Sequence, residues 1–439
     1  MEASSYLCVK TMPLQPLRPA VLVQLPRYHG GRMLQEPLSP TRFIGLDIHK
    51  HYLVAVGVDA TKTVVFGPQR LAYDQLEAWI QRSLTPQDAL VLEMTTNAYD
   101  LYDTLRPHVQ SVTVVHPPHV KLVTQVPVKT DRKAALALAQ LQAAGLLQSI
   151  WIPEADGRDR RALVAQRAKM VRLATQARNR LQAVLHRYRL VPPEAGLFTA
   201  EGRAWWTSLS VSALEQVRIQ SDLATLTFAE EQIVALEQGI TAVAAEDERV
   251  PLLLQLVGIN VIGAVTILAA IDDITRFKSA AQLVGYAGLG ATVHASGQTH
   301  TTGRISKAGR RDLRTAMIDA ARSASRFHPH WRAELARLQP RLGYSKALVA
   351  IARKLLVTVW HILTEETVDR YARPEQVGRF LVRYAYQLGR KHRPGGQSVP
   401  AYVRAQLDRL GIGAEIETID KGGGKLVKLP PSRMAGRDV

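Results

Sequence analysis

The sequence predicts an α/β domain built on a mixed sheet, then a long helical hairpin, then a compact and mostly helical region. Three observations carry this reading. Strand-length apolar runs crowd the first 120 residues and alternate with helical segments after an opening hairpin. Apolar residues then recur at seven-residue steps, at Leu163, Met170, Ala177 and Val184, and again at Leu226, Ile233 and Ile240. Beyond residue 250, helix-length apolar segments are punctuated by glycine. A chain of 439 residues that is 46% hydrophobic can build two or three cores of this kind.

The first hairpin is the stretch RFIGLDIHKHYLVAVGVD, residues 42–59. Phe43, Ile44 and Leu46 form an apolar strand that ends on Asp47, and the charged His49–His51 turn leads into a second strand, Tyr52 to Val58. Thr63 to Phe66 fits a third strand. Tyr73 to Arg82 fits a short amphipathic helix with Leu76, Trp79 and Ile80 on one face. Ala89 to Met94 is a buried-type strand carrying Glu93, Asn97 opens a helix to about Arg106, and Val112 to Val115 is another strand. The segment Thr130 to Leu147, beginning TDRKAA, is strongly helical. Ile152-Pro153 closes this domain, and residues 1–40, with six prolines, read as an arm without its own fold.

The two heptad segments, Arg158 to Arg189 and about Leu214 to Val243, predict a helical hairpin with a coiled-coil seam. That seam packs within the chain or also serves a partner subunit. Pro251 to Ile271 lacks charge, yet Gly258, Asn260 and Gly263 interrupt it, so two buried helices joined by a glycine turn fit better than a membrane span. Such a turn either presents backbone N–H groups to a phosphate, as a helix–hairpin–helix does, or simply joins two helices. Gly285 to Gly303 reads as loop or short hairpin, and a helix begins at about Ser306, with Ser306 suited to cap it. Residues 396–439 read as a poorly specified appendage with a possible hairpin at 414–429.

The net charge of +18 points to a polyanionic partner, most simply nucleic acid. The charge is clustered. From Arg158 to Arg189 ten cations, including Arg158, Arg160, Arg161, Arg167, Lys169 and Arg172, face one acid, Asp159. Arg304, Lys307, Arg310, Arg311 and Arg314 form a second cluster. The single cysteine, Cys8, excludes a disulfide framework and cysteine-based zinc sites, which fits a reducing, cytoplasmic setting.

Three acids occupy informative places: Asp47 after the first strand, Glu93 at the end of a later strand and Asp131 at a helix start. Asp47 alone also suits a turn cap, and Asp131 alone suits the helix dipole. Carboxylates that converge repel unless a hard cation such as Mg²⁺ neutralises them. Acids drawn from strand, strand and helix match the sheet of an RNase H-like nuclease.

Specific motifs extend this. GLDIHK (45–50), LEMT (92–95) and KTDRKAA (129–135) resemble the RuvC-like domain of the DEDD transposases of insertion sequences. HASGQTHTTGRISKAGRRDLR (294–314) resembles the C-terminal transposase domain of the same family. The resemblance spans roughly residues 42–365. It implies a bacterial or archaeal serine recombinase, guided by a bridge RNA that pairs with donor and target DNA. It also implies Mg²⁺ held by Asp47, Glu93 and Asp131, and Ser296, before Gly297, as the nucleophile. The family's fourth metal acid stands three residues after the third, and here that position is Ala134. Its absence removes one hard ligand from the same helix face and bears on activity rather than fold.

From the residues alone, Ser296 reads first as a solvated turn residue, as most loop serines are, and only its neighbourhood points to a nucleophile. His294 and His300 lie near it for proton transfer, and the cationic cluster suits a phosphorane-like transition state. The expected divisions are an arm at 1–40, an RNase H-like domain at 41–153, the helical segment at 154–248, a serine-bearing transposase domain at 249–370 and an extension at 371–439. A helical arm of thirty residues spans roughly 45 Å, so an active site assembled between subunits of a dimer or tetramer is expected. Two other readings remain: a hydrolytic nuclease of the Holliday-junction-resolvase type, needing the acids and not Ser296, and a non-catalytic nucleic-acid-binding protein, motivated by Ala134.

Overall fold

A computed structural model describes residues 39–118, 120, 130–296 and 299–434, with backbone alone at 293–296 and 299–302. The expected arm at 1–40 and Gly297 therefore lie wholly or almost wholly outside the described residues. The chain divides into two compact units between Ile152 and Pro153.

In the first unit, strands β1 (Arg42–Ile48), β2 (Tyr52–Val58), β3 (Val64–Ala72), β4 (Asp88–Glu93) and β5 (Ser111–Val115) form one sheet in the order β3-β2-β1-β4-β5. β1 pairs antiparallel with β2 and parallel with β4, and β4 pairs parallel with β5. β3 runs past the expected Phe66 to Ala72, because its pairing with β2 resumes after an irregularity at Gly57. Helices α1 (Leu76–Ser83) and α2 (Ala98–Leu105) cover one face, where Ile44, Leu46, Leu53, Leu90 and Leu92 meet Trp79, Ile80, Leu101 and Leu105. Helix α3 (Asp131–Ala143) covers the other, where Val54, Val56 and Val91 meet Ala135 and Leu138. Strand alternation thus assigns even positions of β1 and β4 to α1 and α2, and odd positions to α3. This layered mixed sheet is compatible with an RNase H-like domain.

At the starts of β1 and β4 the sheet is pinned by a partly buried ion pair. Asp88 is fully buried, and Arg42 donates to its two carboxylate oxygens at 2.8 and 2.6 Å.

The second unit begins with two 34-residue helices, α4 (Ala155–Tyr188) and α6 (Ala213–Glu246), linked through α5 (Ala200–Ser208). Ala174, Ala177, Leu181 and Val184 of α4 pack on Ile219, Leu223, Leu226 and Ala229 of α6, with Trp206 of α5 closing the end. The heptad seam is therefore used inside the chain.

Helices α7 (Arg249–Leu254) and α8 (Val261–Ile271) follow, both almost wholly buried and joined through Gly258. After α9 (Ala280–Tyr286) come the hairpin strands β6 (Ala291–Ser296) and β7 (Thr299–Ile305), then α10 (Arg311–Phe327), α11 (Pro329–Leu342) and α12 (Tyr344–Glu365). Gly258 has φ +101°, and a Cβ there would lie 2.3 Å from the Ala320 carbonyl oxygen of α10. Close packing on α10 accounts for this glycine. By length and composition α12 could cross a membrane, but half of its apolar window is buried and it packs on α9, α10 and α11.

The C-terminal residues are not an appendage. Helices α13 (Pro374–Leu388) and α14 (Val399–Leu410) and the small hairpin β8 (Thr418–Asp420) and β9 (Leu426–Lys428) share one core with residues 250–363. Val377, Leu381, Tyr384, Tyr402 and Leu407 are all buried in it, and the Tyr384 hydroxyl donates to the Ala244 carbonyl of α6 at 2.7 Å.

Candidate metal centre and cationic surfaces

Asp47 occupies an odd position of β1, on the face covered by α3. The helix can lie on the strand there because residue 45 is glycine: a Cβ at Gly45 would sit 2.0 Å from the Ala135 carbonyl oxygen. Two residues further along β1 comes Asp47, and one turn back along α3 comes Asp131. The Thr130 side chain caps the helix by accepting from the Lys133 N–H at 3.3 Å, which fixes where Asp131 stands.

Between the two acids lies His49. Its Nε2 is 3.3 Å from Asp47 Oδ2 and 3.4 Å from Asp131 Oδ2, and one ligand atom from each of the three residues falls within 4.8 Å of the others. The Tyr52 hydroxyl donates to Asp131 Oδ2 at 3.0 Å, and this bond to a carboxylate holds the phenol above its ordinary pKa. The Tyr52 ring stacks with the His49 ring at 4.6 Å, and the Arg70 guanidinium lies over the Tyr52 ring at 3.8 Å. Behind the turn, the Tyr73 hydroxyl donates to the His49 carbonyl at 2.6 Å and Asn97 donates to Tyr73 at 2.7 Å.

Glu93 follows Leu92, the register partner of Leu46, so it stands level with Asp47 on the neighbouring strand. Alternation places it on the α3 face, although it is not one of the three grouped within 4.8 Å. Ala134 is half-buried one turn into α3. His49 and Tyr52 are the residues that sequence reasoning missed. The only signal for them was a histidine-rich turn directly after a strand-end Asp.

The donor set fits a divalent cation. Two carboxylates converge while remaining 25% and 42% exposed, so water or phosphate oxygens have access. Mg²⁺ prefers oxygen donors, so the carboxylates suit it better than the imidazole does.

The second unit redistributes the expected cations. Arg167 pairs with Glu237 at 2.6 Å, Arg178 with Glu230 at 2.7 Å, Arg180 with Asp222 at 2.7 Å and Arg187 with Glu215 at 2.5 Å. These partners descend along α6 as the arginines ascend α4, so the helices are antiparallel and joined by complementary charge. Arg160 lies 3.8 Å from Asp247. Arg161 donates to the carbonyls of Ala269 and Ala270 at 2.8 and 3.2 Å, capping the C-terminus of α8. Lys169 and Arg172 are exposed, and neither has a carboxylate partner among the described residues.

The second cluster divides in the same way. Ser306 does not cap a helix, since α10 starts only at Arg311. The backbone N–H groups of Ser306, Lys307 and Arg310 instead bond to the carbonyls of Gly290, Gly288 and Tyr286. Gly309, at φ +129°, lets that segment close: a Cβ there would be 2.2 Å from the Tyr286 carbonyl oxygen. Arg310 pairs with Asp312, and Arg314 donates to the Ala287 and Lys307 carbonyls.

Arg304 and Lys307 line a groove of about 1730 Å³ together with Arg341, Lys346, Arg353 and Arg370. Its acid Glu334 is held down to about 2 by hydrogen bonds from Arg337 and Lys354, so it stays ionised. Burial raises its other acid, Asp369. Ser296 closes β6 opposite Thr299 in the hairpin that runs into Arg304.

Residues 44–190 match a DEDD-type transposase family of the IS110 class, and residues 250–336 match the transposase IS116/IS110/IS902 family. The chain is 25% identical over 365 residues to the transposase for insertion sequence element IS1111A of Coxiella burnetii, covering 81% of this chain and 98% of that protein. It is 26% identical over 347 residues to a probable family 20 transposase of Pseudomonas aeruginosa, covering 74% of this chain and 98% of that one. A pilin gene-inverting protein of Moraxella bovis is 25% identical over 335 residues, 74% of this chain and 96% of its own. With two family segments matched in order and relatives aligned over nearly their whole length, the chain belongs to the IS116/IS110/IS902 family of transposases.

Proposed function

We propose that this transposase is a divalent-metal-dependent DNA recombinase that cuts and rejoins strands through Ser296, with a guide RNA as a further partner. The observation that carries the metal reading is the convergence of Asp47 and Asp131 at His49. Asp47, Glu93 and Asp131 would hold Mg²⁺, which when bound offsets carboxylate repulsion and supplies Lewis acidity toward phosphate oxygens. The serine reading rests on the Ser-Gly motif. The name of the pilin gene-inverting relative, a protein that inverts DNA, supports recombination.

In this reading Ser296 Oγ attacks a phosphodiester phosphorus. An Oγ–P bond forms, the bond to one deoxyribose oxygen breaks, and that strand end leaves as a hydroxyl. The serine proton passes to a base, for which His294 and His300 on the same hairpin are candidates, and is delivered to the leaving deoxyribose oxygen. Attack by a different strand's hydroxyl reverses the step and completes the exchange, so the bond energy is kept. The cations Arg304, Lys307 and Arg311 hold phosphates, and a homodimer or tetramer brings the required strands together.

The metal half of the proposal is tested by Mg²⁺ titration calorimetry on the chain and on Asp47→Asn, Asp131→Asn and Ala134→Asp variants. The first two should lose the binding isotherm, and Ala134→Asp should tighten it by adding a hard oxygen donor. Unchanged affinity in Asp47→Asn and Asp131→Asn would remove the metal from this site. DNA cleavage that is metal-dependent yet intact in Ser296→Ala would instead favour the hydrolytic reading.

A further inference from the structure

A second groove, of about 920 Å³, lies in the C-terminal half of the second unit, outside the acids, the serine hairpin and the groove already described. Its walls are the segment Val257–Asn260, the end of α10, the outer face of α13 and the tip of the β8–β9 hairpin. Three cations line it, Arg379, Arg383 and Lys421, and no acid does. In a chain where arginines on α4 are matched to acids on α6, this is distinctive. Neither Arg379 nor Arg383 has a carboxylate partner among the described residues, and both are exposed. Aromatic rings stand between the charges. Phe327 is 57% and Tyr386 is 53% exposed, Phe380 is half-buried, and Lys421 Nζ lies 4.7 Å over the Tyr386 ring.

Helical spacing explains the arrangement. Positions 376, 379, 380, 383 and 387 of α13 fall at steps of three and four and form one outer stripe, while Val377, Leu381, Tyr384 and Leu388 form the buried stripe. The outer stripe is thus cationic and aromatic, with the amides of Gln376 and Gln387 at its ends. Exposed rings left beside unneutralised guanidinium groups have no packing role to account for them.

We propose that this groove binds a single strand of DNA, with Arg379, Arg383 and Lys421 on successive phosphates and bases stacked on Tyr386 and Phe327. Every base presents a π-face, so ring stacking between cations holds a strand without reading its sequence. Bases in an intact duplex are already stacked, and so the groove discriminates against duplex. Charge complementarity and rings together select this occupant: a protein partner matched to three cations would need acids but would have no requirement for unpaired bases. The proposal rests on the reading that this transposase opens and exchanges DNA strands, and places one opened strand away from the reacting serine.

The test is fluorescence anisotropy with the full chain and a labelled twenty-nucleotide oligo-dT, its duplex with oligo-dA, and the matching oligo-U, each across a salt series. In Arg379→Ala/Arg383→Ala, oligo-dT affinity should fall and its log–log salt slope should drop by about 1.4, at roughly 0.7 per lost phosphate contact on a single strand. In Tyr386→Ala, affinity should fall about tenfold with the slope unchanged, because stacking releases no counterion. Arg379→Lys/Arg383→Lys should keep the slope, and duplex affinity should stay the same in all three. Oligo-dT affinity and slope unmoved in both alanine variants would overturn the proposal, and so would oligo-U binding tenfold tighter than oligo-dT. Covalent strand capture by Ser296, measured separately, reports on the recombinase reading: capture intact with oligo-dT binding unmoved rejects the groove alone.

Discussion

At the scale of single residues, the candidate metal centre depends on one missing side chain. Gly45 lets α3 settle onto β1, and that contact brings Asp131 to Asp47. The two acids were legible in the sequence because each ends or begins an element. His49 and Tyr52 were not, because their roles come from a helix laid across the turn 80 residues later. Tyr52 is a positioning residue: it donates to Asp131 while Arg70 fixes its ring. Hydrogen bonds that orient a ligating carboxylate typically alter metal affinity by about 10–100-fold. Tyr52→Phe should therefore weaken Mg²⁺ binding by roughly tenfold while leaving the thermal unfolding profile unchanged. Calorimetry at constant pH checks this, and equal affinities would mean Asp131 is held by its helix alone.

At the scale of elements, the long hairpin shows where sequence reading succeeds and where it stops. Heptad spacing identified both helices and some of their buried positions, among them Met170, Ala177, Leu226 and Ile240, but not Val164, Ala174, Ile219, Leu223, Ala229 or Ala244. The ten-to-one charge ratio from Arg158 to Arg189 did not show that four of these arginines, Arg167, Arg178, Arg180 and Arg187, are matched by acids on α6, 28 to 70 residues away in sequence. Pairing across an antiparallel seam is invisible to a window moved along one helix. The more exposed of these pairs, such as Arg178 with Glu230, contribute only about 0–1 kcal/mol each, so their main effect is to set register and consume charge. Lys169→Gln/Arg172→Gln should lower the log–log salt slope of duplex DNA binding by about 1.8, at roughly 0.9 per phosphate contact. Arg178→Gln/Arg180→Gln should leave it unchanged. A salt series on both variants decides, and equal slopes for the two would mean that α4 contacts no phosphate.

At the scale of the molecule, the chain is two units that divide the expected chemistry between them. Asp47 and Glu93 stand on the sheet of the first and Asp131 on the helix that covers it, and the serine hairpin and cationic grooves belong to the second. The β3-β2-β1-β4-β5 sheet follows from strand runs and hairpin signals that any window reveals. The role of residues 371–439 does not follow so directly, because glycine- and proline-rich joints hide helices that are specified by burial. Val377, Leu381, Tyr384 and Leu407 complete the core of α7, α8 and α12. Deleting residues 371–439 should therefore expose that core and abolish cooperative unfolding of the second unit, with the first unit's transition preserved. Differential scanning calorimetry on the truncated chain would show this, and a retained second transition would make the extension dispensable.

The proposed exchange of strands through Ser296, under control of the Asp47 and Asp131 cluster, is checked by locating the protein–DNA bond. Cells carrying the insertion sequence and expressing the Ala134→Asp chain would be lysed in denaturant, covalent complexes recovered and digested, and the nucleotide-bearing peptide sequenced by mass spectrometry. The expected product is a phosphodiester-linked nucleotide on Ser296, lost in both Ser296→Ala and Asp47→Asn. An adduct on any other residue, or strand breaks with no protein attached, would contradict it.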